Sequence, residues 1–419
     1  MKPNGLVKAH GAASVCAYSL GDFSLCLAWN GVAAYLLSTW IQAGMPAVAA
    51  GAIMCGGQLL TVLSDLFVGG MSDKTHQGGV RYSAWVGWSA VPIAVGLVAA
   101  FAVPRCCDGS VRLVLASLAY GVFLAAYSCG SVPYSSMLKV LSSDPRQRVR
   151  YGSWGMASAF VGAFAVTVGF PPLTELTSSV STSMLCVALV LACGLVCTAL
   201  VAGSHEAFPV AEKTLPFGRL LSSLFRDKSF ASLFGAAVLF CVANSARFGA
   251  LAFFVKETSG SAAACSAGFA CLTLASAVGA GSVTLLSRLV GLRAVLATAA
   301  LGAAAASAAF FFFGGGRGLV ALLAFLVVVE AFSGMMPAVC RILVASHADR
   351  LGDAVAGRVY AVWGLTGKIG NGLGALVVAI CIAAISGARG ACCAISLAPT
   401  VVLLLVSLLA VWGGSKDGC

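Results

Sequence analysis

From Ala43 to Leu63 the chain runs for 21 residues without a charge. Runs of this kind recur along its whole length. A span of roughly 20 apolar residues is what a helix needs to cross a bilayer. Twelve stretches qualify, at about 14–40, 45–70, 82–103, 113–138, 153–171, 183–203, 229–255, 261–286, 292–313, 318–345, 356–386 and 390–413. They are called span one to span twelve below. Only 9% of residues are charged and 60% are hydrophobic, whereas soluble domains carry about 25% charge. So few charges cannot coat a globule of 419 residues, so lipid is the expected solvent. Helices satisfy their own backbone groups there, and the expected fold is an all-α membrane protein.

The net charge of +11 raises the question of nucleic acid. Its placement answers it. With the N-terminus in the cytoplasm, eighteen of the 25 Lys and Arg fall in inside segments, five in outside loops, and two, Arg247 and Lys368, within spans. That asymmetry is the positive-inside signal. It places both termini in the cytoplasm of a plasma (inner) membrane protein, with the bilayer and a small solute as partners rather than nucleic acid. The 17 cysteines are scattered through apolar runs without zinc-ligand spacing, and most read as small buried hydrophobes. Span one is too long for a signal peptide and shows no small-residue cleavage site, so it is expected to be retained.

The longest hydrophilic stretch, 204–228, divides the spans six and six. Two halves, 1–203 and 229–419, are expected around this cytoplasmic linker. A faint repeat agrees with the division. Pro133 precedes Asp144, a basic cluster, Tyr151 and Trp154; Pro337 precedes Asp349, Arg350, Arg358, Tyr360 and Trp363. Two six-helix halves flanking a midplane site are the architecture of many secondary transporters.

Ionisable groups inside a bilayer cost about 2.5–3.5 kcal/mol each at a helix centre on insertion scales, and are functional candidates for that reason. Five stand out: Asp22, Asp65, Arg247, Glu330 and Lys368. Gln58, Thr61 and Asp65 share one helical face of span two. Ser128, Ser131 and Ser135 repeat that spacing on span four, flanked by Tyr127 and Tyr134. Trp29 lies seven residues after Asp22 and shares its face. Lys368 sits among Gly364, Gly367, Gly370 and Gly372, which are expected to admit a neighbouring backbone. A lysine so placed needs a carboxylate partner. Such a pair is a cation switch: the lysine holds the carboxylate when the site is empty, and a proton or Na⁺ displaces it when loaded.

Enzyme chemistry finds no support. The one His-Glu pair, at His205 and Glu206, lacks the second histidine of a metalloprotease helix. The four histidines lie in the N-terminal tail or in loops, and neither a nucleophile elbow nor a phosphate loop is present. No catalytic residue, resident metal or cofactor is expected, only H⁺ or Na⁺ as coupling ion. A channel or structural scaffold is the alternative class; buried charges in both halves favour alternating access over a pore.

The stretch from Asp65 to Lys74, with Gly69, Asp73, Lys74 and then Arg81, resembles the signature that closes span two in the major facilitator superfamily. Asp65, four residues before Gly69, narrows the resemblance to the glycoside–pentoside–hexuronide:cation symporter branch typified by melibiose permease. The segments 18–23, 131–137 and 360–368 are similar to that branch in the same order. The resemblance implies a monomeric transporter with twelve helices in two halves. It implies a sugar-contacting acid at Asp22, a cation-site acid at Asp65 and a site lysine at Lys368. It implies a hydroxyl near the cation at Ser128, and a latch between the halves built on Gly69, Asp73, Lys74 and Arg81.

The chain departs from the branch elsewhere. A second span-two acid falls on Thr61, a span-four sugar-binding acid on Ser131, an aromatic on Ser135, and a span-five arginine near Ser153, beside Trp154. Removing one carboxylate weakens Na⁺ more than it weakens protonation of the other, so H⁺ is the expected ion. The expected function is symport of a small solute, a sugar or glycoside, with a lysophospholipid or other amphipathic solute as the alternative. Asp65, Thr61, Ser128 and Lys368 are the cation-coupling candidates. Asp22, Trp29, Ser131, Tyr134, Trp154 and Lys368 are the substrate-binding candidates.

Overall fold

The computed structural model describes residues 12–106, 109–141, 145–205, 217–258, 261–314, 318–351, 353–385 and 392–413. Twelve helices among them are long and apolar enough to cross a membrane. Span one is Ala12–Gln42, span two Ala47–Gln77, span three Tyr82–Cys106, span four Gly109–Leu141, span five Pro145–Thr177 and span six Val180–Ala202. Span seven is Lys228–Thr258, span eight Ala262–Val290, span nine Leu292–Phe312, span ten Gly318–Leu351, span eleven Asp353–Ala384 and span twelve Cys393–Trp412. A further helix of ten residues, Phe217–Arg226, lies in the linker.

Within each set of six, successive spans are separated by at most eight residues, too few to recross the bilayer, and so run antiparallel. Span two stops at a pair of glycines, and Gly79 takes a φ of +93°, a left-handed conformation that side chains with a Cβ avoid. Gly291, at φ +79°, does the same between spans eight and nine. With an even number of crossings, Ala12 and Gly413 lie at one end of the bundle. That end is called the termini end, and the opposite one the far end.

Outer surfaces of the helices are apolar. On span two, Leu60, Leu63 and Phe67 are exposed and lie opposite Gln58, Thr61 and Asp65 around the helix. Such a surface suits lipid and not water. Cysteines share it: of the fifteen described, only Cys55, Cys265 and Cys340 are buried, and five are exposed. The expectation that most are buried is corrected here, because in lipid a small apolar thiol needs no core.

Apolar packing is uneven along the bundle. One buried cluster joins spans one to six to far-end residues of the last six spans, including Ala250, Phe269, Phe310 and Val378. A second cluster, with Phe230, Val339, Val359 and Val406, belongs to the last six spans and their linker helix alone. The two sets of spans therefore close on each other at the far end, and their termini-end portions pack separately. The far-end seam is tight. A Cβ on Gly51 would lie 2.3 Å from that of Ala379, the Tyr35 and Phe269 rings meet edge-on at 5.5 Å, and Ser266 Oγ donates to the Val168 carbonyl at 2.7 Å. Span one enters the seam through a π-helical turn at Val32–Leu36.

Candidate functional site

Span two carries its polar face into the seam. Gln58 packs against Gly372 of span eleven, where a Cβ would lie 2.9 Å from that of Gln58. Seven residues on, Asp65 meets Lys368: the ammonium donates to Asp65 Oδ2 and forms an ion pair. At 1.5 Å rise per residue, Asp65 lies ~18 Å and Lys368 ~22 Å in from the termini end of their helices. The pair marks the termini-end edge of the seam. Its side chains are 19% and 14% exposed.

The pair is incompletely satisfied. Asp65 Oδ1 is buried with no hydrogen-bond partner, and so are Gln58 Oε1 and Ser128 Oγ. Buried polar atoms are ordinarily bonded, so these three are available acceptors. Gln58 Nε2 is occupied, donating to Tyr120 Oη at 2.9 Å. Thr61 Oγ1 donates to the Gln58 carbonyl at 2.6 Å, leaving its lone pairs free. Among the described residues no three His, Cys, Asp or Glu side chains converge. A cation here would be held by one carboxylate and neutral oxygens.

A second acid stands at the junction of spans one, four and five. Asp22 packs over Gly155, whose missing Cβ would fall 2.2 Å from Asp22 Oδ2. Tyr134 interacts with the Asp22 carboxylate, donates its hydroxyl to the Tyr18 carbonyl at 2.8 Å, and stacks on Tyr18 at 4.7 Å. Tyr151 meets Tyr18 edge-on at 5.5 Å and shares a 2.8 Å hydrogen bond with Ser14. Trp29 packs on Tyr127 at 5.1 Å.

Several expected positions lie elsewhere. Trp154 is 59% exposed. The span-five residue that meets Asp22 is Gly155, one position and about 100° further round the helix. Ser131 is half-buried, and its carbonyl accepts from Ser135 Oγ at 2.9 Å. Of the four glycines around Lys368, Gly370 abuts span seven at Cys241 and Gly372 abuts span two, while Gly364 and Gly367 face open space. Gly364, four residues before Lys368, shares its face, so that side of the lysine is open. Gly69 is not tightly packed either: the nearest atom to a Cβ there would be on Val132 at 3.6 Å. Lys74 is exposed, and Arg81 donates to the Gly203 carbonyl of its own set of spans at 3.1 Å. The side chains of Asp73 and Ser153 lie outside the described residues.

Residue pattern marked Tyr151 only as part of the two-half repeat, and pointed to neither Tyr120 nor Gly155. Tyr120, Tyr127 and Tyr134 recur every seven residues, and that stripe was the available signal. Arg247 and Glu330 form a third centre. Arg247 Nε donates to Glu330 Oε1 at 2.9 Å and Nη2 to Ser333 Oγ at 2.8 Å, and Ser276 Oγ donates to Glu330 Oε2 at 2.8 Å. All lie within the last six spans. There, spans eight and ten touch through Gly279 and Gly334, where a Cβ would fall 1.9 and 2.1 Å from the opposing carbonyl oxygens.

The model of a family described as MFS/sugar transport protein matches residues 17–414. The inner membrane symporter YicJ of Escherichia coli is 26% identical over 160 residues, 38% of this chain and 35% of that protein. A putative sulfoquinovose importer of E. coli is 26% identical over 238 residues, 54% of this chain and 49% of the relative. The isoprimeverose transporter of Lactiplantibacillus pentosus is 30% identical over 168 residues, 40% and 35% of the two chains. The chain thus spans about a third to a half of the length of these relatives.

Proposed function

The chain belongs to the MFS/sugar transport protein family, and on that premise we propose that it is a secondary transporter coupling a cation gradient to symport of a sugar or glycoside by alternating access. One observation carries the reading: the Asp65–Lys368 ion pair joins the first six spans to the last six at the edge of their seam. A charge contact that bridges two moving bodies is made or broken as they move. In the empty carrier Lys368 neutralises Asp65. A cation arriving on Asp65 displaces the ammonium and frees Lys368 to face the solute beside Gly364, where the structure is open. The solute is held between Asp22, Tyr134 and Trp29 on one side and Lys368 on the other.

Eighteen basic residues against five favour termini in the cytoplasm of the inner membrane. On that orientation the parted end faces the cytoplasm and the structure is an inward-open state. The segment with Gly69, Asp73, Lys74 and Arg81 then acts as the latch of the opposite, outward-open state. The two six-helix halves, 1–203 and 229–419, rock about the seam as a monomer, with 204–228 as the tether. With Thr61 where a second acid would strengthen Na⁺ binding, the coupling ion is H⁺.

In proteoliposomes, Asp65→Asn is expected to abolish accumulation against a gradient while retaining substrate exchange, since the neutral amide mimics a permanently loaded acid. Accumulation at wild-type levels by that variant would refute the assignment. Accumulation driven by Na⁺ and indifferent to a pH gradient would refute H⁺ alone.

A further inference from the structure

We infer that Asn371, beside Lys368, is a hydrogen-bonding contact of the last six spans to the solute, and that it reads which hydroxyls the solute carries. This rests on the sugar-transport reading above and extends it. A cavity of about 20 Å³, room for one water, lies between the two sets of spans, lined by Trp29 and Met54 on one side and Ser245, Asn371 and Ala375 on the other, so a ring enters it only as the two sets of spans part. It lies just beyond the Asp65–Lys368 pair. Asn371 is three residues past Lys368 on the same helical face, ~27 Å from the termini end of its helix, and Trp29 lies ~25 Å from the termini end of span one. The two therefore face each other across the seam at similar depth, one turn deeper than the ion pair.

The cavity's polar groups are unequally committed. Ser245 Oγ donates to the Asn371 carbonyl at 3.2 Å, which ties that residue's backbone to span seven. The Asn371 carboxamide makes no hydrogen bond within the described residues, and neither does the Trp29 indole N–H. The remaining walls are apolar. A carboxamide offers two donors and an acceptor from one planar group, which matches adjacent hydroxyls on a pyranose ring. An indole offers a flat apolar face for the ring's C–H side and one N–H. Tyr127 backs the indole and fixes its tilt. The neutral charge of Asn371 matters as well: an acid one turn from Lys368 would compete with Asp65 for the ammonium. The solute is thus a neutral polyhydroxyl ring that bridges spans one and eleven, and its recognition requires both sets of spans.

The test is binding of methyl pyranosides, each paired with its single-deoxy analogues, to the purified full chain by thermal shift and calorimetry. The wild type should favour one parent over its matched deoxy analogue by about tenfold, the worth of one neutral hydrogen bond. Asn371→Ala should weaken the parent by a similar factor, leave the analogue little changed, and bring the ratio near one. Asn371→Gln, which keeps the carboxamide, should recover part of the discrimination; Asn371→Ser serves the same comparison if the alanine variant does not fold. A parent-to-analogue ratio unchanged at every ring position in Asn371→Ala would overturn the inference while leaving the sugar reading intact. A wild type that binds no pyranoside but accumulates another solute class would overturn the sugar reading, and this contact with it.

Discussion

Among the described residues two ion pairs lie at membrane depth, and they are built differently. Arg247–Glu330 is 1% and 2% exposed, closed by Ser276 and Ser333, and contained within spans seven, eight and ten. Asp65–Lys368 is 19% and 14% exposed, leaves Asp65 Oδ1 without a partner, and crosses between the two sets of spans. The first has hydrogen bonds on both carboxylate oxygens and on two of its three guanidinium nitrogens, with only Nη1 unpaired. Nothing in rigid-body motion of the halves would alter it. The second has spare acceptor capacity and an open side. Burial and completeness separate a strut from a switch; charge alone does not.

That contrast can be broken by mutation, and the largest effect is expected at the strut. Glu330→Gln leaves Arg247 buried without a counter-charge, which costs about 3–5 kcal/mol. Reversible unfolding of the purified protein in detergent should show the loss, and Arg247→Gln combined with Glu330→Gln should recover part of it. If Glu330→Gln were as stable as wild type, the strut reading would fail. A smaller effect is expected at the switch. Asp65→Asn also leaves the Lys368 ammonium without its partner, but on an open side that water can reach, so its loss in the same unfolding measurement should fall clearly below that of about 3–5 kcal/mol at the strut, despite its loss of coupled accumulation. A destabilisation equal to that of Glu330→Gln would make the two pairs alike and erase the distinction.

One side of this contrast was visible in the sequence. Twelve spans were legible because apolar length is set by bilayer thickness, and the observed helices start and stop within a few residues of the expected runs, with the largest offsets, of seven or eight residues, at span ends. The face of Gln58, Thr61 and Asp65 was legible because it follows the helical period. Lys368 announced its need for a carboxylate because a lone lysine in lipid is costly.

What was not legible depends on helix phase and on partners distant in sequence. Gly364, Gly367, Gly370 and Gly372 look alike in the chain, yet only the last two meet a backbone, since the other two point at open space. Trp154 drew attention by its size, while its small neighbour Gly155 is the residue that admits Asp22. Arg247 and Glu330 are 83 residues apart, and no local pattern ties them. Tyr18 and Tyr151 meet only because spans one and five pack together.

The central claim is that loading a cation on Asp65 releases Lys368 and is linked to solute binding. Proton uptake measures it directly. Adding a transported solute to purified protein in weakly buffered solution should alkalinise the medium by about one proton per molecule, and Asp65→Asn should show none while still binding solute. Proton uptake of equal size in Asp65→Asn, or solute binding by the wild type with no proton taken up at any pH, would contradict the account.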